Sequence, residues 1–383
     1  MYNGSIGDWQ AFLFETMTGT IITSINLNDT ASFSIPLTDD ATMKFSLDKT
    51  DLPDVDLNVW LEPWVSSVLI TFQGRAIYAG PIISNPKEYA KEIQFDTSGP
   101  RSILARRYII SESALDSPSI AKGVVSYKGM SLGTIAQEVV KFALAKPGGN
   151  LPIRYASPRE SHANDADHQR NYKAYNVNTL NADDVLTKLS EVGGGPDIAF
   201  RPKMVDDTRV VWEMHHGTED EPRIAQKIIP EWDLTAVKSD VISIEITKTG
   251  TYLADRVITT GGGTNEATVM AVAEDFSRNK KKKYPMLETA YNVSDTENKA
   301  VLQKHAKSTL YRNRKPLMEF TLFVDAYGEY PFGTFWPGDL IYLYTKGYMN
   351  LDDGLNKMRL LNISGDYGSS KIRLALQLND QWE

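Results

Sequence analysis

Cysteine is absent from the 383 residues, which excludes disulfides, thiolate nucleophiles and every zinc site that needs sulfur ligands. Stability must come from burial or assembly. Long apolar runs are also missing: the most hydrophobic stretches, such as VSSVLITF at 65–72, stop well short of the roughly 20 residues that cross a bilayer. No membrane span is expected. The opening MYNGSIGDWQAFLFE lacks the basic start and unbroken apolar segment of a secretory signal. Basic excess is lacking as well, with a net charge of -8 that argues against a general nucleic-acid binder.

The usual catalytic signatures are equally scarce. Neither Gly193-Gly194-Gly195 nor Gly261-Gly262-Gly263 leads into the Gly-Lys-Ser/Thr of a phosphate-binding loop, so both triplets read as turns. No G-x-S-x-G elbow occurs. Of the five histidines, His162 and His168 fall in a polar loop, His215 and His216 are neighbours on a strand, and His305 sits alone on a helix. Adjacent strand residues point to opposite faces, and no H-E-x-x-H spacing exists, so no metal site is expected. The acid pairs Asp183/Asp184, Asp206/Asp207 and Asp352/Asp353 suit backbone capping better than the paired carboxylates of a glycosidase. The run Lys280 to Lys283 has no interleaved aromatics and reads as a solvated loop or edge guard. No enzyme, cofactor or catalytic residue is expected.

What is present is β-sheet grammar around a mixed middle. The chain is long enough for two or three domains; hydrophobic residues make up 42% and charged residues 23%, a globular balance. With 18 tyrosines and 7 tryptophans it is rich in side chains that suit sheets and interfaces.

Residues 1–108 read as strands. Ile22, Ile25 and Leu27, then Ala31, Phe33 and Ile35, alternate about a break at Asn28-Asp29. Three strands follow, with turns at Gln73-Gly74-Arg75 and from Ser84-Asn85-Pro86-Lys87. Residues 109–232 read as α+β. SLGTIAQEVVKFALA places Leu132, Ile135, Ala136, Val139, Val140 and Ala143 on one helix face, and a second helix is capped by Asn181 and stopped by Gly193. Between the helices, 156–173 reads as an exposed loop, and DIAFRPK with TRVVWEMHHG forms a hairpin. Residues 233–383 return to strands, interrupted by one helix whose capping box is Ser294-Asp295-Thr296-Glu297.

Two phrases echo each other across this layout. Trp64 is followed by Val68 to Phe72, a turn at Gly74, a strand through Gly80, a break and a strand from Ile93. Trp336-Pro337-Gly338-Asp339 is followed by Leu340 to Tyr344, a turn region at Gly347, a strand Met358 to Ile363, a break and a strand from Ile372. The order of elements agrees, the later copy having a longer central loop.

The first meander with SGPRSILARRYI after it, the VGGGPDIAFRP middle, the LADRVITTGGG segment, and WPGDLIYLY with LNISGDY, IRLALQL and the final Gln381-Trp382 resemble tail-tip hub proteins of long-tailed, siphovirus-type bacteriophages. In the minor tail proteins of phages infecting actinobacteria such an arrangement spans nearly the entire chain. The resemblance implies an α+β, mainly β fold with two tail-tube-like antiparallel β-barrel domains and an intervening α+β domain. It further implies a homotrimer at the distal end of the tail tube that matches a sixfold tube to a threefold tip. Its partners would be the tail tube or distal tail protein, the tape-measure protein and other tail-tip proteins, with DNA passing the channel unbound. The place of such a protein is the virion, after assembly in the host cytoplasm. Glu383 follows closely on the last strand, so no peptidase or muralytic module is expected. Two other readings stay open: a carbohydrate- or receptor-binding tail protein using Tyr327, Tyr330 and Trp336, and a cell-wall hydrolase.

Overall fold

A computed structural model describes residues 5–28, 30–52, 55–115, 123–162, 168–263, 265–281, 284–293 and 297–378. Asp29, Lys282-Lys283, Ser294-Asp295-Thr296 and Gln381-Trp382, all named above, lie outside the described residues. Chain contacts divide the protein into one unit of 1–244 with 321–383 and another of 245–320.

The first unit is built on a largely antiparallel sheet. Both echoing phrases fold as three-strand meanders: Ser66–Phe72, Arg75–Glu88 and Glu92–Ser98 in one, and Leu340–Thr345, Gly354–Asp366 and Lys371–Leu378 in the other. In each, the middle strand is long, with 14 and 13 residues, and pairs with its two neighbours mainly along successive halves. The meanders belong to one sheet. From Glu92–Ser98 the pairing passes to Thr42–Asp48, then Ser32–Pro36, then Gly354–Asp366, so N-terminal and C-terminal halves share a ladder.

The first turn is where the sequence puts it, at Gln73-Gly74, whose φ angles of 49° and 74° match the mirror-image turn that suits the twist of a hairpin. The second is not at Ser84 to Lys87. The strand runs on to Glu88, with register shifts at Ser84 and Lys87; Pro86 falls in that irregular stretch, where its missing N–H costs no ladder bond. The chain turns instead at Tyr89, whose N–H donates to the Glu92 carbonyl.

Aromatic rings fill the space between the halves. Trp9, 1% exposed, has Phe33, Phe72, Phe332 and Tyr367 within 6.0 Å of its ring centre, two rings from each side of the chain counting Phe33 and Phe72 as the N-terminal pair. A second core lies in the middle section. Helix Leu132–Leu144 buries Ile135, Ala136, Val139, Val140 and Ala143, and Ser131 caps it by accepting from the Thr134 N–H. Helix Ala182–Glu191 packs Val185, Leu186 and Leu189 into the same core, capped by Asn181 as expected. The hairpin Ile198–Asp206 with Arg209–His216 completes it.

The second unit has its own small sheet. Arg256–Thr260 lies between antiparallel Met270–Glu274 and parallel Glu288–Asn292, with the Gly261 to Gly263 turn at its end. Helix Lys299–Arg312 covers it through Leu302, Ala306 and Leu310. Its described cap is Asn298, which accepts from the Ala300 N–H, one position after the expected capping box.

Candidate functional site

The Trp336-Pro337-Gly338-Asp339 turn sits at the junction of the second meander and the middle hairpin. Asp339 donates its backbone N–H to the Trp336 carbonyl, and its side chain accepts the Trp336 N–H at 2.8 Å. With Pro337 second and Gly338 third at φ 99°, this is a type II turn closed twice over. Gly338 then donates to the Leu360 carbonyl, pinning the turn to the long strand of its own meander.

Charge accumulates behind the turn. Arg201, from the middle hairpin, lies over the Trp336 ring at 5.6 Å and 3.6 Å from Asp339 Oδ1, while Arg359 pairs with Asp197 beside it. Two arginines and two aspartates cancel, so the cluster holds no net charge. Burial raises the Asp339 carboxyl to about 6, against the opposing pull of Arg201. Asp339 Oδ1, Asp197 Oδ2, and Nε and Nη2 of Arg201 have no hydrogen-bond partner, and Arg201 lines a cleft with about 30 Å³ of free space between Trp336, Pro337, Ile77 and Tyr78. That is room for a water or two and not for a ligand. The cluster is a seam between segments.

The earlier copy of the motif is engaged differently. Trp64 donates its N–H to the Ile82 carbonyl and lies under Arg106 at 4.9 Å. Gly74 faces open space, whereas a Cβ at Gly80 would meet the Ser98 carbonyl oxygen at 2.0 Å. Gly80 is the residue that lets the second and third strands of this meander close up.

Arg101, unremarked in the sequence, holds the exit of the first meander. It is 5% exposed, pairs with Asp183, and donates to the Thr38 carbonyl and Thr187 Oγ1 at 2.7 Å each. Its position in SGPRSILARRYI carries no periodic signal; only the fold shows that helix Ala182–Glu191 lies within its reach.

One member of each of two acid pairs serves the backbone, while Asp183 holds Arg101 and Asp184 accepts from the Asn181 side chain. Asp206 accepts from Thr208, and Asp353 from the Gly347 N–H. The aromatics considered for glycan contact are partly used in packing: Tyr327 meets Phe72 edge-on at 5.0 Å, and Tyr330 meets Trp232 at 5.8 Å.

The histidines differ most from their sequence reading. His215 and His216 do face apart, His216 being buried against Gln137 at 2.8 Å. His162 and His168, however, stack at 4.1 Å, and each places Nε2 2.7 Å from one oxygen of Glu219. Glu219 lies 51 positions beyond His168, on the loop after the middle hairpin, so spacing along the chain gave no sign of this trio.

No protein-family model matches the chain, and no curated protein matches it. Among solved structures, it is similar to the 43 kDa tail protein of prophage MuSo2 from Shewanella oneidensis, with TM-score 0.56 and 12% identity over 97% of this chain and 99% of that one. It is similar to the tail protein from Neisseria meningitidis MC58, with TM-score 0.53 and 13% identity over 98% of both chains. A chain in the lidded Francisella PdpA-VgrG complex gives TM-score 0.51 and 8% identity over 97% of this chain and 52% of that one. What these likenesses establish is a shared fold, α+β and mainly β, extending over almost the whole length of two tail proteins.

Proposed function

We propose that the protein is a structural component of a bacteriophage tail, the trimeric hub at the distal end of the tail tube. The observation that carries this reading is the end-to-end match to two tail proteins, in which almost no part of either chain is left over. The paired meanders support it: three copies with two related sheet segments each present six similar surfaces, which is what a sixfold tube requires of a threefold cap. The tube or distal tail protein would dock on those surfaces, with the tape-measure protein inside and other tail-tip proteins below. Long-tailed phages of actinobacteria are the proposed source, on the strength of the strand and turn phrases alone.

Light scattering on the purified protein, coupled to negative-stain imaging, tests this. A mass of three chains in a ring with a central opening is the expected result. A compact monomer that neither self-associates nor binds tail-tube protein would sink the reading.

A further inference from the structure

The structure assigns a binding site for one divalent transition-metal ion of the zinc class to His162, His168 and Glu219. Among the described residues this is the group of histidine and carboxylate donors that converges, with all three donor atoms within 4.8 Å of one another. Two imidazoles and one carboxylate form a donor set that zinc takes with a fourth position left for water. Two nitrogen donors argue against calcium or magnesium, which prefer oxygen throughout.

Backbone contacts hold the trio in place independently of any ion. Gly129 accepts the His162 N–H and donates its own N–H to the His168 carbonyl, both at 2.8 Å, so one residue clamps both histidines. Its φ is 62°, and a Cβ there would lie 2.4 Å from the His162 oxygen; the clamp requires glycine. Glu219 is fixed from the other side. Its N–H donates to the Glu160 carboxylate at 3.2 Å, and the Glu160 N–H donates to Thr134 Oγ1 at 2.8 Å, at the start of helix Leu132–Leu144. These bonds fix the backbone positions from which the three side chains converge.

His168 Nε2 is hydrogen-bonded to Glu219 Oε1, whereas the other histidine is not. His162 Nε2 is buried and lies 2.7 Å from Glu219 Oε2, yet has no hydrogen bond of acceptable alignment. A buried ring nitrogen beside a carboxylate without a hydrogen bond to it is a donor position that an ion would use. Donors on a tetrahedral zinc stand about 3.3 Å apart, given bonds of about 2.0 to 2.1 Å, so each histidine–Glu219 separation of 2.7 Å opens by roughly half an ångström on binding. The rings are nearly parallel, at 10°. A shared ion must lie in both ring planes, so at least one imidazole turns and the stack is lost. The ion would then tie the loop carrying His162 and His168 to the loop after the middle hairpin.

The test is calorimetric titration of Zn2+ into tag-free, full-length protein, with histidine ring NMR signals followed in parallel. The expected result is one Zn2+ per chain, a rise in melting temperature, and shifts of two histidines as the stack opens. His162→Gln and Glu219→Gln should each weaken binding at least tenfold, while His305→Gln, on the exposed side of another helix, leaves it unchanged. Glu219 is 44% exposed at its side chain, so its substitution tests the site even if a histidine variant fails to fold. Absence of saturable Zn2+ binding, or binding that survives Glu219→Gln intact, overturns the assignment; the trio would then be held by a shared proton alone.

Discussion

The indole N–H of Trp212 donates to the carbonyl of Ala79 at 2.9 Å, joining residues 133 positions apart. Trp212 is fully buried with Phe14, Leu69 and Val210, so the middle hairpin is fastened to the first meander by one hydrogen bond inside an apolar cluster. Trp212→Phe keeps much of the apolar area and leaves the Ala79 carbonyl without its partner. The expected loss is about 1 to 3 kcal/mol, with Trp212→Ala costing about 3 to 5 kcal/mol. Denaturant titrations of the two variants check the order.

Gly80 and Gly74 lie on one strand and its turn but should respond differently to alanine. At Gly80 the added methyl meets backbone, the Ser98 carbonyl, which is not free to move. Gly80→Ala is expected to cost at least about 3 kcal/mol. At Gly74 there is open space and a φ of 74°, so Gly74→Ala costs only the left-handed penalty of about 1 to 2 kcal/mol. Thermal melts that rank Gly74→Ala as the worse variant would refute the account of how this meander closes.

Asp339 gives a pH dependence with a defined sign. Its carboxyl is raised by burial from an ordinary 3.8 to about 6 in the folded chain, so it binds its proton more tightly folded than unfolded. The stability it contributes is therefore fully present below about pH 3.8 and is lost as pH climbs through about 6. Asp339→Asn keeps an oxygen for the Trp336 N–H and cannot titrate. The stability of the wild type relative to this variant should fall between pH 4 and 7, by up to about 3 kcal/mol. A difference that stays constant over that range would mean that Arg201 holds Asp339 ionised throughout.

The hairpin joining Leu340–Thr345 to Gly354–Asp366 exposes apolar side chains. Tyr344 stands opposite Leu355, at 43% and 56% exposure, and Met349 at the tip is 92% exposed. In the trimeric reading such side chains belong against another copy or a tail partner. Leu355→Glu and Met349→Asp should leave the melting of the isolated chain near that of the wild type while abolishing the three-chain mass. Unaltered assembly in both variants would move the interface elsewhere.

How much of this was legible depended on range. The apolar face of helix Leu132–Leu144 and the Asn181 cap of the next helix were readable because periodicity and capping are local, and so was the Gln73-Gly74 turn. The run through Pro86 reads as a turn in the sequence because proline usually interrupts a strand, and only the shifted pairing with Glu92–Ser98 shows why it is tolerated here. The joining of Ser32–Pro36 to Gly354–Asp366 has no local signature, since an alternating strand does not name its partner. The same holds for the site: His162 and His168 were visible as residues, but Gly129 as their clamp and Glu219 as their third member depend on loops that meet only in the folded chain.

The ladder between Ser32–Pro36 and Asn362 to Asp366 also sets a schedule for synthesis. Ser34 hydrogen-bonds to Asn362, 328 positions later, and at about 5 to 20 residues per second that partner emerges roughly 16 to 66 seconds after Ser34 has left the ribosome. Throughout that interval the outer side of a nearly complete N-terminal sheet stays open, the kind of edge that recruits foreign strands. Correct production of this protein is thus a race between elongation and misassociation. Slower translation, a temperature above the optimum, or crowding by other nascent copies all lengthen the odds against it.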